Sequence, residues 1–262
     1  MSKLILALCI LVPSLAVSQQ VSVKVGGVQV IDGALPLEEM GNGVPFWAKE
    51  GGVKLLLAVS GNLNLVSLDD DKSNVSITDD TGIDLLKPVA GKRTFGRGPF
   101  EMGQGKSKDG KLMIVGVRAP RSPSAGCAAL AVKGTLALEV ATGKKLLTAE
   151  TEIKQGAKPF QGVIFSITKV EAGKNFQGEA VVTVGVSMKG EVAGGYAGLR
   201  FLAPGGKPIK ATQRSSMTMG RTARTIEYEL ASNPGKCTLE LATWQGSKTL
   251  QVPFDLKVAT GF

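Results

Sequence analysis

The run VKGTLALEV, residues 132–140, alternates apolar and polar side chains with a period of two. Its valines and leucines would point to one face, whereas Lys133, Thr135 and Glu139 would point to the other. Such alternation over a short run is the signature of a half-buried β-strand. The same pattern recurs in VKLLLAV (53–59), VVTVGVSM (181–188) and TIEYEL (225–230). These runs predict a chain built from β-strands.

Turn-forming sequences separate the strand-like runs. KDGK, ATGKK, PGGKP and NPGK supply the residues that hairpin turns favour, and the chain holds 34 glycines. No stretch of a dozen residues follows the helical period of 3.6. Short strands with one polar face each are typical of antiparallel sandwiches rather than of parallel sheets. We therefore predict an all-β fold of antiparallel β-sandwich domains.

The strand alternation gives way to Gly, Lys and Pro in ETEIKQGAKPFQG, residues 150–162, which indicates a domain boundary. We predict an N-terminal β-sandwich domain over residues 19–155 and a C-terminal one over residues 156–262. The C-terminal segment holds roughly seven strand candidates, the number found in an immunoglobulin-like sandwich. We therefore predict that the C-terminal domain is immunoglobulin-like.

The first twenty residues, MSKLILALCILVPSLAVSQQ, have the parts of a secretory signal peptide. Lys3 forms a short positive region, an apolar run follows it, and Ala16 and Ser18 fit the small-residue cleavage positions. The apolar run is too short for a stable membrane span. We predict a signal peptide over residues 1–18, export to the periplasm or beyond, and no membrane span after cleavage.

The formal net charge is +9, and it falls to +8 when Lys3 leaves with the signal peptide. A basic exported protein can meet anionic polymers, so we consider envelope proteins and anionic polysaccharide as partners, and no nucleic acid. The densest basic stretch without an acid contains Arg200, Lys207, Lys210, Arg214, Arg221 and Arg224. These side chains would form a polyanion-binding surface only if they share one sheet face.

The chain has no histidine, which excludes Ser-His-Asp and Cys-His catalysis and imidazole-bound metal sites. Cys127 and Cys237 remain after signal cleavage, and either one disulfide or two buried thiols fits their strand-like contexts. Ser166 and Lys169 match a serine acyltransferase spacing that works on a helix. They lie in a strand pattern, so we expect them to point to opposite faces.

The stretch LDDDKSNVSITDDTGIDLL, residues 68–86, contains six aspartates. Strand geometry separates it into two acidic turns at opposite ends of a short strand over Val75–Thr78, because about five residues extend roughly 16 Å. Asp79, Asp80 and Asp84 remain as a candidate calcium site beside the alternative of turn chemistry. The same carboxylates could also supply the acid/base pair of a hydrolase.

The loop GNGVPFWAKEGG, residues 41–52, places Phe46 and Trp47 between glycines. An exposed aromatic pair can bind a sugar or a protein partner, and a hydrophobic plug that closes the end of a sandwich is the alternative. Trp244 shares a strand face with polar side chains in CTLELATW, so we expect partial exposure or a local bulge.

Three segments resemble parts of uncharacterised exported bacterial β-sandwich proteins. They are NVSITDDTGIDLL, VKGTLALEVATGKK and TLQVPFDLKVATGF. The resemblance implies a β-sandwich fold and an exported location, and it transfers no site residues.

The sequence therefore predicts an exported, non-enzymatic binding or structural protein of the cell envelope, without a required cofactor. Two hypotheses from other classes stay open. One is a calcium-stabilised adhesion or glycan-binding module, and the other is a hydrolase that uses carboxylates alone. Fold analogy does not decide among them, since β-sandwiches host all three.

Overall fold

A computed structural model describes residues 21–31, 51–88, 98–101, 105–107, 109–219 and 222–260. Within these ranges the chain is all-β, and its strands pair antiparallel throughout four sheets. The predicted signal peptide over residues 1–18 lies outside the described residues, as does the Phe46–Trp47 pair. No helix in the described ranges is long and apolar enough to cross a membrane.

Fifteen strands follow one another along the described chain. They are β1 (Val21–Ile31), β2 (Gly52–Gly61), β3 (Asn64–Leu68), β4 (Asn74–Asp79), β5 (Gly105–Lys106), β6 (Leu112–Ala119), β7 (Ala129–Ala141), β8 (Gly143–Glu152), β9 (Phe165–Lys174), β10 (Ala180–Lys189), β11 (Tyr196–Leu202), β12 (Ala211–Met219), β13 (Ala223–Leu230), β14 (Lys236–Gln245) and β15 (Lys248–Ala259). The helical pieces are a 3-10 turn (Asp70–Lys72) and the four-residue helix α1 (Glu191–Gly194).

The first compact unit contains the described residues up to Ala141 together with those from Ser247 onward. One sheet has the order β1-β2-β6-β5, and the other has the order β15-β7-β3 with β4 also paired to β7. Apolar side chains from both sheets share one core, as the alternation in VKGTLALEV predicted. Val132, Leu136 and Leu138 are all fully buried there.

The second compact unit contains the described residues between Thr142 and Gly246. Its four-stranded sheet has the order β12-β13-β10-β9, and its three-stranded sheet has the order β11-β14-β8. The core-facing residues of the two sheets form one cluster that includes Val184, Ile226, Phe201 and Leu239. Each unit thus has the layered arrangement of a β-sandwich.

The grouping of strands differs from the predicted boundary between residues 155 and 156. Strand β15, at the end of the chain, pairs with β7 along twelve residues from Lys248 to Ala259 and belongs to the first unit. Strand β8 pairs with β14 along its full length and belongs to the second unit. The strand pattern showed which face of β15 is buried, but it did not show which strand lies beside it.

The second unit has the seven strands expected of an immunoglobulin-like domain, but their grouping is different. Its first, fourth and seventh strands (β8, β11 and β14) share one sheet, and the remaining four form the other. In an immunoglobulin constant domain the third, sixth and seventh strands share a sheet. Counted along the chain, the observed grouping is offset by one strand from that of a constant domain, and the immunoglobulin-like detail stays a prediction.

Candidate functional surface

Asp79, at the end of β4, is a buried carboxylate that joins two loops of the first unit. Its Oδ1 accepts hydrogen bonds from the Thr81 backbone N–H (3.1 Å), the Thr81 hydroxyl (2.7 Å) and the Ile83 N–H (2.8 Å). Its Oδ2 accepts from the backbone N–H and the hydroxyl of Ser124, at 3.0 and 2.7 Å. Five donors therefore occupy the lone pairs of one side chain.

These hydrogen bonds decide the charge of Asp79. Burial alone would raise its pKa, but the bonds from Ser124, Thr81 and Ile83 outweigh burial and hold the pKa far below its ordinary value. A carboxylate with this pKa stays ionised and does not act as a general acid. Asp79 is thus a structural anion, and its place in an acidic turn agrees with the turn chemistry considered from sequence.

The structure does not bring Asp79, Asp80 and Asp84 together around one point. Asp80 accepts a hydrogen bond from the Ala128 N–H at 2.7 Å, and Asp84 accepts one from the Leu86 N–H at 3.0 Å. Each carboxylate therefore caps a different piece of backbone. In the described ranges, the group of three acidic side chains whose oxygens all lie within 4.8 Å of one another is Asp69, Asp70 and Asp71. That group lies at the other end of β4, where the sequence predicted the second acidic turn.

A cavity of about 440 Å³ lies at one end of the β8–β14 pair. It is relevant to the hypothesis of a hydrolase that uses carboxylates alone, because acidic side chains line it. Its lining includes Glu150 and Glu152 of β8 and Lys236 of β14. The Lys154 ammonium lies 2.8 Å from the Glu152 carboxylate. This hydrogen bond and the positive charge of Lys154 lower the pKa of Glu152, which favours its ionised form. Glu152 is therefore poorly suited to the general-acid role that glycoside hydrolysis requires.

Ser166 and Lys169 lie on the same face of β9, contrary to the expectation from simple strand alternation. A bulge at Thr168 shifts the register, so that Ser166 pairs with Ser187 and Lys169 pairs with Gly185. The Lys169 ammonium is 3.1 Å from Glu171, and the hydrogen bond that it donates to that carboxylate raises the pKa of Lys169. A lysine held protonated cannot act as the base of a serine acyltransferase.

The described arginines of the predicted basic stretch do not form one surface, and Arg221 lies outside the described residues. Arg200, on the three-stranded sheet, pairs with Glu240 at 3.2 Å, whereas Arg214, on the four-stranded sheet, pairs with Glu229 at 3.2 Å. Arg224 aligns with the core-facing positions of β13. These arginines therefore face different surroundings, and two of them are already paired with carboxylates.

Both cysteines are buried and free, which resolves the alternative left open by the sequence. Cys127 lies in the core of the first unit and Cys237 in that of the second.

Trp244 is half-buried and lies under the Lys144 ammonium, which is 4.5 Å from the centroid of its ring. The β14–β8 register runs without a bulge at Trp244, so partial exposure is the correct alternative there.

Strand β12 has a different character from its neighbours, because eight consecutive residues from Thr212 to Met219 are all exposed. It is the terminal strand of the four-stranded sheet, and within the described ranges no strand pairs with its outer edge. Met217 and Met219 are 66% and 62% exposed. They lie opposite Thr225 and Ala223, on the face of the sheet that points away from the core.

An exposed aromatic side chain lies near the other end of β12. Phe176, in the turn between β9 and β10, is 99% exposed. The Asn175 side chain orders this turn by accepting hydrogen bonds from the Gln177 and Glu179 N–H groups, each at 3.0 Å. The Arg214 guanidinium lies 5.0 Å from the Phe176 ring centroid. We define β12 together with Phe176 as the candidate surface.

Sequence reasoning missed this surface because ATQRSSMTM lacks the alternation that marks a half-buried strand. The available signal was indirect, since a run rich in Ser and Thr precedes the clear strand TIEYEL and can pair with it as a hairpin.

Comparison with known proteins found no matching family model, no matching curated protein and no matching solved structure. The candidate surface is therefore defined by the residues of this chain alone.

Proposed function

We propose that this chain is an exported, non-enzymatic binding or structural protein of the cell envelope, and that it binds a protein strand at β12. The observation that carries the proposal is the exposure of β12 on both faces, beside an edge with which no strand of the described ranges pairs. An edge strand presents a row of unpaired N–H and C=O groups that can template another strand. The segment with signal-peptide features at residues 1–18 supports export.

The opposite edge of the same sheet shows how such an edge is commonly protected. Strand β9 carries Lys169, Glu171 and Lys174, and charged side chains on an edge oppose pairing with another chain. By contrast, Ser215–Met219 of β12 contains no charge and no proline. The only interruption in β12 is the bulge at Arg214, so its last five residues offer a continuous edge.

A protein partner fits this surface better than an anionic polysaccharide does. The surface combines main-chain hydrogen-bonding groups with the exposed apolar side chains of Met217, Met219 and Phe176. Aromatic and methionine side chains are enriched in protein interfaces. Arg214, the one cation of β12, is already paired with Glu229.

We also propose that the two compact units are two domains. Each has its own hydrophobic core, and each contains two sheets that contribute to that core. The first domain would then be discontinuous in sequence, with the second inserted between Ala141 and Ser247. Insertion at a hairpin tip is a tolerated position for a domain.

Photo-crosslinking in the intact cell tests the proposed function. A photoreactive amino acid would replace Met217 in the exported protein, and the same substitution at Leu146 would serve as the matched control. Leu146 is 58% exposed and lies in β8, in the other sheet of the same unit. We expect protein adducts at position 217 and few or none at position 146. Equal adducts at both positions, or none at position 217, would contradict strand binding at β12.

A further inference from the structure

We propose that the strand added to β12 is β12 of a second copy of this chain, in a two-fold antiparallel pair. This inference rests on the proposed function, in which β12 takes an added strand. The four-stranded sheet that contains β12 in one copy and the same sheet in the second copy would then form one continuous eight-stranded sheet. Because two-fold pairs place the same surface on both sides, the strand must be complementary to itself.

The charges of β12 meet this requirement. Ser215–Met219 carries no charged side chain, so a second copy brings no like charges into the pair. Arg214, just before this segment, forms an ion pair with Glu229 of its own sheet, 3.2 Å away. A partner strand with many charges would find no complementary side chain along Ser215–Met219, whereas an identical neutral strand needs none.

The register follows from the exposed methionines. In an antiparallel pair, residues directly opposite each other lie on the same face of the sheet. If the two-fold axis passes beside Met217, that residue lies opposite Met217 of the second copy, and Met219 lies opposite Ser215. Both methionines occupy the outer face, opposite Thr225 and Ala223 of their own hairpin. Four exposed methionine side chains would therefore cluster on one face, and their flexibility suits them to pack against one another.

The bulge at Arg214 limits the length of the pair. The register of β12 against β13 shifts between Gln213 and Ser215, and bulges twist an edge and interrupt pairing. Five residues from each copy then form the contact, which is small compared with interfaces of about 1,200 Å² or more in stable complexes. We therefore expect a weak dimer that forms reversibly at micromolar or higher concentration.

Sedimentation of the purified mature protein, from about 1 to about 500 μM, tests the inference. The intact protein should pass from monomer to dimer as its concentration rises. Met217→Lys and Met217→Glu should each weaken self-association at least about tenfold, because each places like charges opposite each other at the two-fold axis. An equimolar mixture of the two variants should associate again, since Lys then faces Glu.

Matched variants separate this result from a general loss of folding. Leu146→Lys and Leu146→Glu change an exposed residue on the other sheet and should leave the dimer unchanged. Near-ultraviolet circular dichroism should be the same for all four variants. A monomer at every concentration would overturn the inference, and so would a dimer that Met217→Lys leaves intact or that mixing does not restore. A purified monomer that still gives adducts with other proteins at position 217 in cells would overturn self-pairing and leave the proposed function standing.

Discussion

The hydroxyl groups of Tyr196 and Tyr228 form a hydrogen bond that joins the two sheets of the second unit. Tyr196 belongs to β11 and Tyr228 to β13, and they are the only two tyrosines of the chain. The ring of Phe201 packs edge-on against Tyr228, with 5.4 Å between ring centroids. The Arg224 guanidinium lies 5.1 Å from the ring centroid of Tyr196. Tyrosine spectroscopy therefore reports on this one contact.

Burial raises the pKa of both tyrosines, and for Tyr228 the neighbouring Tyr196 raises it further. The folded state retains protons that the unfolded chain loses near pH 10, so stability should fall as the pH rises above about 10. We expect the absorbance of tyrosinate at 295 nm to appear only together with alkaline unfolding. In denaturant, both tyrosines should ionise near pH 10. Reversible ionisation of one tyrosine near pH 10, with the far-ultraviolet circular dichroism unchanged, would contradict their burial.

Asp79→Asn should destabilise the first unit by about 2 kcal/mol at neutral pH, because an amide cannot accept all five hydrogen bonds. The native pKa of Asp79 lies below that of the unfolded chain. Asp79 therefore stabilises the fold above about pH 4, and that contribution is lost as the pH falls below this value. Urea unfolding at pH 6 and pH 3 should show a smaller difference between variant and natural chain at pH 3. Asp71→Asn, at an exposed carboxylate, is the control. A difference that is the same at both pH values would contradict the assignment.

Gly134→Ala should destabilise the first unit by about 3 kcal/mol. A Cβ at position 134 of β7 would overlap the carbonyl oxygen of Asn74 and lie 2.9 Å from the Cα of Val75. Both atoms belong to the backbone of the paired strand β4, so no side-chain rotation relieves the overlap. Gly173→Ala is the matched control, since a Cβ at that strand position meets nothing within 4 Å. Thermal unfolding of both variants measures the effect, and equal melting temperatures would show that β4 can move away.

The buried faces of the strands could be predicted from sequence because alternation is a local property. Val184, Ile226 and Leu138 occupy the core faces that their runs indicated. Pairing between strands is not local, and it depends on which apolar faces meet in the folded chain. The pairing of β15 with β7 joins residues more than a hundred positions apart, and nothing in TLQVPFDLKVATGF specifies its neighbour. The domain boundary predicted between residues 155 and 156 differs from the observed grouping for this reason.

The prediction of the candidate sites was limited by structural features that strand alternation does not show. The bulge at Thr168 places Ser166 and Lys169 on the same face of β9, whereas alternation predicted opposite faces. The bulge occurs where Gly185 leaves room for the Lys169 side chain. The acidic turn was correctly placed at the end of a short strand. Two of the five hydrogen bonds to the Asp79 carboxylate come from Ser124, however, which is 45 residues away. Long-range donors of this kind decide whether a carboxylate can bind a cation.

Removal of residues 247–262 tests the grouping of strands directly. Without β15, the first unit loses the buried side chains of Val252 and Phe254, whereas the strands of the second unit remain complete. Cys127 should then react rapidly with a thiol reagent at pH 8. Cys237 should stay protected, because it is buried and burial raises its pKa to about 11. A boundary at residues 155 and 156 would give the opposite result, with Cys237 reactive and Cys127 protected. A Cys127→Ser version of the truncated chain identifies the reacting thiol, and the intact mature protein should show no rapid reaction until it is denatured.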